Sequence, residues 1–265
     1  MPTIALAIQK GGSGKTTTAL NLAAALRRMG RRVLLIDLDP QANLTTALGV
    51  TDQNQENIYP LLRREMNGEA TRAADILTTT KSGLDLLPAG LELADAELEL
   101  VSTYGREQLL TRLLEPLTNN YDYIFVDCPP AVGMLTVNAL VASQYVILPL
   151  QAEFLPRKGL DSYYRHHQRI RRTLNPELRI LGLVLSRYDG RKNLHQRSKA
   201  QLAEHYPGWL FGTHIRSNVA LAEAQEAGVD VFTHAPTSNG AEDYQFLAYE
   251  VEKRIAAGAL PEEIP

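Results

Sequence analysis

The chain has 265 residues, of which 45% are hydrophobic and 22% charged, and its formal net charge is −3. This composition excludes disordered and fibrous proteins, and the length suffices for one large α/β domain or two small ones. A single cysteine, Cys128, excludes an intramolecular disulfide framework and a four-cysteine zinc site. No signal segment or membrane-spanning run is visible, which predicts a soluble cytoplasmic protein.

Apolar runs typical of buried strands alternate along the chain with helical patterns. Strands are predicted at 3–8, 32–37, 121–127, 145–150 and 179–186, and helices at 16–30, 91–101, 105–118, 133–143, 156–174, 193–206, 217–227 and 241–257. Residues 50–82 show no clear periodicity. The alternation predicts an α/β fold, a single-domain protein with a mostly parallel, twisted sheet and helices on both faces. We expect the domain to span 1–257, followed by a short polar tail at 258–265.

A glycine-rich segment, "KGGSGKT" at 10–16, separates the first predicted strand from the first helix. Ligands bind at the carboxyl ends of strands in open α/β sheets, and glycines there let backbone N–H groups face phosphate oxygens. Lys15 is expected to reach the β- and γ-phosphates, and the Thr16 hydroxyl to bind Mg²⁺. The alternative is a glycine-rich turn beside a helix start. The candidate nucleotide-binding residues are Lys10, Gly11, Gly12, Ser13, Gly14, Lys15, Thr16 and Thr17.

Three aspartates lie at or just beyond the ends of apolar strands. Asp37 ends "VLLID", Asp39 follows two residues later, and Asp127 ends "YIFVD". P-loop proteins use such carboxylates to hold hydrated Mg²⁺, although a single aspartate in this position can also be a turn former. Thr16, Asp37 and Asp127 are therefore the metal candidates. Asp39, in a loop, is the candidate for orienting the attacking water.

Three segments carry a resemblance to a known family. They are "KGGSGKTTTALNLAAALRRMGRRVLLIDLDPQANLTTALGV", "YDYIFVDCPPAVGMLTVNALVAS" and "NVALAEAQEAG". They resemble ParA-type (Soj-like) ATPases, which partition bacterial plasmids and chromosomes. These ATPases belong to the deviant Walker A class of P-loop ATPases, which includes MinD and the nitrogenase iron protein. The likeness extends from about residue 3 to 255.

The resemblance implies an Mg²⁺-dependent ATPase of weak intrinsic rate whose ATP-bound form is a sandwich dimer. Lys10 matches the class's signature lysine, which crosses the dimer to the partner's nucleotide, and Gly11 must stay small for the subunits to approach. Lys10, Lys15 and Asp39 are then the catalytic candidates. The implied partners are non-specific double-stranded DNA, a ParB-type centromere-binding protein acting through a short basic peptide, and a second copy of the chain. The implied location is the nucleoid.

The charge distribution supports a polyanionic partner. Residues 157–199 contain twelve Lys and Arg against three Asp and Glu, a local charge of +9 that leaves −12 for the remainder. On a helical wheel, the predicted helix 156–174 places Leu160, Tyr164, His167, Ile170 and Leu174 toward the core and basic residues opposite. Contacts to backbone phosphates need only clustered cations, although a solvated face is the alternative. The DNA-binding candidates are Lys158, Arg165, Arg169, Arg172, Arg191 and Lys192, of which Arg191 matches a DNA-binding arginine in chromosomal ParA proteins.

One segment departs from the family pattern. Where ParA proteins often have I-P-R-N-V-R-L-x-E-A, this chain has "IRSNVALAEA". Arg216 replaces proline, Ser217 replaces arginine, and Ala220 replaces a basic residue implicated in DNA contact. The resemblance places this segment beside the adenine, and we therefore include Arg216 among the cofactor-binding candidates.

Several other functions are possible for a P-loop protein. The acidic, proline-containing end "VEKRIAAGALPEEIP" does not fit an amphipathic membrane helix, so we expect no membrane partner. A reductase like the nitrogenase iron protein shares a four-cysteine cluster between two subunits and needs two cysteines from each. This chain has one cysteine, which excludes that arrangement. Two alternatives stay open: an ATPase that positions a protein cargo on the nucleoid, and a small-molecule phosphotransferase.

Overall fold

The computed structural model describes residues 1–51, 56–153 and 157–258; the side chains of residues 102, 157 and 158 also lie outside the described part. The predicted domain end at 257 coincides with the end of the last helix. The predicted tail at 258–265 lies almost entirely outside the described residues, and its boundary stays a prediction.

A seven-stranded sheet forms the centre of the molecule, in the order β3-β4-β2-β5-β1-β6-β7. All neighbouring strands are parallel except β3, which pairs antiparallel with β4 at one edge. The strands are β1 (Thr3–Leu6), β2 (Val33–Asp37), β3 (Thr78–Thr79), β4 (Asp85–Leu87), β5 (Tyr123–Asp127), β6 (Tyr145–Gln151) and β7 (Arg179–Ser186). The mostly parallel sheet predicted from the apolar runs is confirmed.

Helices cover both faces of the sheet. They are α1 (Lys15–Arg28), α2 (Asn43–Ala47), α3 (Ile58–Met66), α4 (Leu93–Glu99), α5 (Leu109–Leu114), α6 (Met134–Val141), α7 (Arg157–Thr173), α8 (Asn193–His205), α9 (Ala220–Glu226), α10 (Val231–His234) and α11 (Asn239–Ala257), with single 3₁₀ turns at Ala73–Ile76, Leu100–Ser102, Arg106–Gln108 and Glu115–Leu117. One buried cluster joins the sheet to helices α3–α8, and a second joins it to α1, α2 and α9–α11.

Three predicted features of the helices are wrong in detail. The helix expected at 105–118 is broken into 3₁₀ turns around α5, because Gly105 is left-handed and Pro116 cannot donate a backbone hydrogen bond. The helix expected from 217 begins at 220, after the Asn218 side chain accepts a hydrogen bond from the Ala220 N–H. Leu174, expected in the core, lies beyond the end of α7 and is exposed, whereas Tyr163 is buried instead.

The edge beyond β7 is covered rather than open. Residues 209–217, here called the edge segment, run beside β7 and form isolated parallel bridges to it. On its outer side, the N–H groups of Gly212 and Thr213 donate to the Glu250 carboxylate of α11, at 2.8 and 3.0 Å. These carboxylate contacts occupy donors that an unprotected edge would offer to a strand of another molecule.

Candidate active site and basic surface

The glycine-rich loop between β1 and α1 has the backbone that its sequence predicts. Gly12 and Gly14 have φ values of +70° and +96°, in the left-handed region that favours glycine. Helix α1 begins at Lys15 and continues through an alanine- and leucine-rich stretch that is buried throughout. The loop therefore lies at the amino-terminal end of a long, well-packed helix, where backbone N–H groups and the helix dipole favour an anion.

Two neighbouring strands fix the loop from the other side. The Gln151 side-chain amide, at the end of β6, donates to the Gly12 carbonyl. The Ser186 hydroxyl, at the end of β7, lies 2.9 Å from the Ser13 carbonyl oxygen and 3.2 Å from that of Leu150. A Cβ on Gly14 would meet Ser186 at 3.5 Å. The loop is therefore held in shape by residues more than a hundred positions away.

The lysine and threonine at the start of α1 point into the same site. Lys15 is buried, and its Nζ donates a long hydrogen bond of 3.4 Å to the Lys10 carbonyl. The Thr16 hydroxyl donates to Asp127 Oδ2 at 2.6 Å. The structure thus brings together Lys10, Lys15, Thr16 and Asp127, which sequence patterns alone could only suggest were close.

Asp37 and Asp127 are paired across the adjacent strands β2 and β5. Asp37 is fully buried; its Oδ1 accepts from the Asp39 N–H at 3.1 Å, and its Oδ2 accepts from the N–H and hydroxyl of Thr45 at 2.9 and 2.8 Å. Asp39 is also buried and accepts from the Gln41 N–H. The three predicted aspartates therefore surround the carboxyl ends of two neighbouring strands.

The pair of buried carboxylates fits a divalent cation. Burial raises the pKa of Asp37 to about 6, and burial followed by the Asp37 charge raises that of Asp127 well above its usual value. Asp127 Oδ1 and the Ser13 hydroxyl are buried without a hydrogen-bond partner among the described residues. A cation would offset the cost of ionising both carboxylates.

The protein offers only part of a metal coordination shell. Across 1–51, 56–153 and 157–258, no group of three or more His, Cys, Asp or Glu side chains is placed to hold a metal. Mg²⁺ usually keeps several waters and binds one or two carboxylates together with substrate phosphates. Such a limited donor set therefore suits Mg²⁺ that arrives with a nucleotide.

Comparisons with known proteins agree with this geometry. The AAA-domain family model matches residues 1–180. The chromosome-partitioning ATPase Soj of Thermus thermophilus is 44% identical over 253 residues, which cover 95% of this chain and 96% of the relative. The sporulation initiation inhibitor protein Soj of Bacillus subtilis is 42% identical, covering 94% and 97%. The chain belongs to the ParA/Soj family of ATPases.

A solved structure supports the fold of this family member over its whole length. Cobyrinic acid a,c-diamide synthase from Mycobacterium smegmatis, with bound ADP and magnesium, is 33% identical and superposes with a TM-score of 0.84, covering 100% of both chains. The single P-loop NTPase domain predicted from the sequence is thereby confirmed. Among the described residues, no helix is both long and apolar enough to cross a membrane.

The basic helix α7 presents a row of arginines to solvent. Arg165, Arg169 and Arg172 are exposed, while Leu160, His167 and Ile170 are buried on the opposite side. Among the described residues, none of these three guanidinium groups forms an ion pair. The predicted core side is therefore confirmed for Leu160, His167 and Ile170, whereas Tyr164 is half-buried. The side chain of Lys158 lies outside the described part of the structure.

The two other DNA-binding candidates are neutralised in this structure. Arg191 is paired with Asp189, with Nε–Oδ1 and Nη2–Oδ2 distances of 3.0 and 3.1 Å. Lys192 Nζ lies 2.9 Å from Glu153 Oε1, in the segment that follows β6. Arg191 and Lys192, here called the loop cations, thus have carboxylate partners, whereas Arg165, Arg169 and Arg172 have none among the described residues.

The segment that departs from the family pattern is held by α11. Arg216 donates to both carboxylate oxygens of Asp243, including an Nη2–Oδ1 contact of 2.6 Å, and to Glu242 at 2.5 Å. These contacts raise the pKa of Arg216 further above its ordinary value. Ser217 is exposed, whereas Ala220 is buried at the start of α9. A long basic residue at position 220 would therefore have to leave this buried environment.

Some residues of the site have no signal in the sequence. Gln151, Ser186 and Thr45 contact site residues but belong to no motif that spacing reveals. Gln225 of α9 donates to the Thr17 hydroxyl at 3.0 Å, across 208 positions of sequence. Only the segment "NVALAEAQEAG", through its resemblance to the family, pointed to the region of Gln225. The other contacts depend on which strands become neighbours.

Proposed function

We propose that this protein is a DNA-partitioning ATPase whose switch is the binding and hydrolysis of Mg²⁺–ATP. ATP and Mg²⁺ are its cofactors, and the solved relative from Mycobacterium smegmatis, with ADP and magnesium, supports this assignment. The observation that carries the proposal is the preformed loop with two lysines beside the hydrogen bond from Thr16 to the buried Asp127.

Each site residue then has a defined task. Backbone N–H groups from Gly11 to Thr17 bind the phosphates, and Lys15 neutralises the β- and γ-phosphates. Thr16 binds Mg²⁺ through its hydroxyl, and Asp127 and Asp37 hold it through water. Asp39 orients the attacking water, and Arg216 lies beside the adenine. Bound Mg²⁺ supplies charge neutralisation on the phosphates while these side chains fix the position of the nucleotide.

ATP closes a homodimer in which Lys10 crosses to the nucleotide of the partner subunit. Two facing triphosphates place many negative charges in a narrow interface, and a cation donated across it stabilises the dimer only while the triphosphate is present. The closed dimer holds DNA through Arg165, Arg169 and Arg172, together with Lys158, Arg191 and Lys192. A ParB-type protein, acting through a short basic peptide, stimulates hydrolysis and returns the subunits to the monomeric state. The protein therefore works at the nucleoid.

Binding to random-sequence duplex DNA tests the proposal. We would measure it without nucleotide, with ADP and with ATP, over a salt series, for wild type, Lys10→Ala and Lys81→Ala. Lys81 is an exposed lysine in the turn between β3 and β4, before the amino-terminal end of β4, whereas the site lies at the carboxyl ends of the strands, so that its replacement removes the same charge away from the site. We expect binding only with ATP, weaker binding at higher salt, and loss of binding in Lys10→Ala alone.

The opposite results have clear meanings. If no nucleotide state binds DNA, the DNA-partitioning function is wrong, and a protein cargo becomes the next partner to test. If Lys10→Ala and Lys81→Ala bind equally well, dimer closure through Lys10 is wrong. If a small-molecule acceptor raises ATP turnover and DNA does not, the protein is a phosphotransferase.

A further inference from the structure

Thr45 lies on α2, one turn beyond the loop that carries Asp39, and is buried. Its N–H and its hydroxyl both donate to Oδ2 of Asp37, at 2.9 and 2.8 Å. A single threonine thus supplies two of the three hydrogen bonds that the Asp37 carboxylate accepts from the described residues. The other donor is the backbone N–H of Asp39, at 3.1 Å.

The direction of the Thr45 hydroxyl is fixed by a third contact. The Ala89 N–H, in the loop after β4, donates to Thr45 Oγ1 at 2.9 Å. Because the Thr45 oxygen accepts this hydrogen bond from Ala89, its own proton is left to donate to Asp37. Thr45 therefore connects β4 to the end of β2 through one oxygen atom.

Asp37 links this arrangement to the loop after β2. Its Oδ1 accepts from the Asp39 N–H, while its Oδ2 accepts from Thr45, so that each oxygen is held by a different residue. If the Asp37 carboxylate could rotate, the oxygen that accepts the hydrogen bond from the Asp39 N–H would change position. The position of Asp39 thus depends on the orientation of Asp37, which in turn depends on Thr45.

We propose that Thr45 is a positioning residue for ATP hydrolysis, acting through Asp37 on the loop that carries Asp39. The inference rests on the proposed roles of these two aspartates. Thr45 does not touch the nucleotide itself; it fixes the carboxylate that faces the hydrated metal and the residue that orients water. Catalysis depends on such alignment, because a displacement of about 1 Å can lower a rate by about a hundredfold.

The neighbouring residue provides a matched control. Thr46 is exposed, whereas Thr45 is buried, and both lie on α2. Thr45→Val keeps the branched shape and removes the hydroxyl, and Thr45→Ser keeps the hydroxyl and removes the methyl group. Thr46→Val makes the same chemical change one position away. All variants would be assayed below the melting temperature of the least stable one, so that only folded protein is compared.

Two measurements distinguish positioning from a purely structural role. In steady-state hydrolysis, we expect Thr45→Val to lower kcat by about tenfold while the KM for Mg²⁺–ATP changes by less than about threefold. Without turnover, a titration with Mg²⁺ at fixed non-hydrolysable ATP analogue should show a higher Mg²⁺ requirement for tight binding. Thr45→Ser should recover most of kcat, and Thr46→Val should match wild type in both measurements.

Asp39→Ala, assayed in parallel, distinguishes failure of this inference from failure of the proposed function. If Asp39→Ala keeps full hydrolysis, the assigned role of Asp39 is wrong, and the inference about Thr45 falls with it. If Asp39→Ala loses hydrolysis but Thr45→Val behaves like Thr46→Val, the inference alone is wrong. A Thr45→Val defect that Thr45→Ser does not restore would also overturn it, because the hydroxyl would not be the active feature.

Discussion

Gly11 and Gly12 are adjacent, but only Gly12 has a backbone conformation that favours glycine. Gly12 has a φ of +70°, which disfavours any other residue. Gly11 does not have a left-handed backbone, and a Cβ built on it meets no atom within 4 Å. Nothing within the described subunit therefore requires glycine at position 11. If a requirement exists, it comes from a molecule outside the subunit.

The first prediction concerns Gly11→Val. We expect the variant to fold with an unchanged melting temperature and to bind ATP, but to fail to form the ATP-dependent dimer, because the added methyl groups occupy space needed by the second subunit. Molar mass by light scattering, with a non-hydrolysable ATP analogue, measures this. Wild type and Lys10→Ala are the references. A dimeric Gly11→Val protein would contradict the proposed approach of the two loops.

At the scale of single elements, α7 carries an unusual buried histidine. His167 is 2% exposed, and neither ring nitrogen has a hydrogen-bond partner among the described residues. Burial, followed by the charges of Arg171 and Arg179, lowers its pKa to about 4. Its ring stacks on Tyr164, with centroids 6.4 Å apart. The same helix thus combines a basic outer side with an inner side that disfavours a further positive charge.

The second prediction follows from His167. As pH falls from about 6.5 to about 4, the unfolded chain takes up a proton at this residue that the folded chain does not, so that the free energy of unfolding falls by up to about 3 kcal/mol. His167→Phe should remove most of this pH dependence. Urea unfolding at several pH values measures it, and data above pH 7, where this proton linkage vanishes, are the internal control. An unchanged acid slope in the variant would contradict the prediction.

The third prediction concerns the contact between α11 and the edge segment. Glu250→Ala removes the acceptor for the Gly212 and Thr213 N–H groups and leaves Arg254, which contacts Glu250 at 3.3 Å, without its carboxylate. We expect a loss of about 1–3 kcal/mol in the free energy of unfolding. Lys253→Ala, an exposed neighbour, should change it by less than about 0.5 kcal/mol. Equal effects of the two variants in urea unfolding would show that the edge contact is unimportant.

Sequence periodicity identified long elements well and short ones poorly. The apolar runs that become β2, β5, β6 and β7 were predicted, because strands buried on both faces leave a continuous hydrophobic signal. β3 and β4 contain two and three residues, too few for any pattern. α2 and α10 are similarly short. These small elements fill the stretches between strands, where tertiary contacts decide the structure.

For the whole molecule, two groups of cations differ in whether a carboxylate neutralises them, and this difference bears on the proposed binding of DNA. Arg165, Arg169 and Arg172 are available on α7, whereas Arg191 and Lys192 have carboxylate partners. An ion pair must be broken before its cation can neutralise a phosphate. The contribution of the loop cations to DNA affinity should therefore be smaller than their charge alone indicates.

The fourth prediction is that replacing Arg165, Arg169 and Arg172 by alanine weakens ATP-dependent DNA binding and lowers the slope of log affinity against log salt. Each lost phosphate contact reduces that slope by roughly 0.9. The matched control replaces Arg64, Arg72 and Lys81, three exposed cations on α3, in the segment after it and in the turn before β4. Binding curves across a salt series are the measurement. Equal losses in both triple variants would show that only total charge matters.

The candidate site combines features of local and distant origin. Lys10, Lys15, Thr16 and the three aspartates could be selected from the sequence, because each lies at the end of a predicted strand or the start of a helix. The contacts of Gln151 with Gly12 and of Thr16 with Asp127 span 139 and 111 positions. The order of strands in the sheet creates such contacts, and the hydrophobic periodicity of the sequence does not specify that order. The same limit applied to Thr45, whose partner is only eight residues away but whose orientation requires Ala89.

The end of β6 and the residues just after it contact both the glycine-rich loop and Lys192. Gln151 contacts the carbonyl of Gly12, and Glu153, two residues later, contacts Lys192. A nucleotide that displaced this short segment would therefore also change the availability of Lys192. Because binding free energies form a closed cycle, a nucleotide that strengthens DNA binding by some factor must itself be bound more tightly on DNA by the same factor. For the proposed DNA-partitioning function, DNA would thus be an effector of nucleotide affinity as much as a ligand controlled by it, and release from DNA would weaken the binding of ATP.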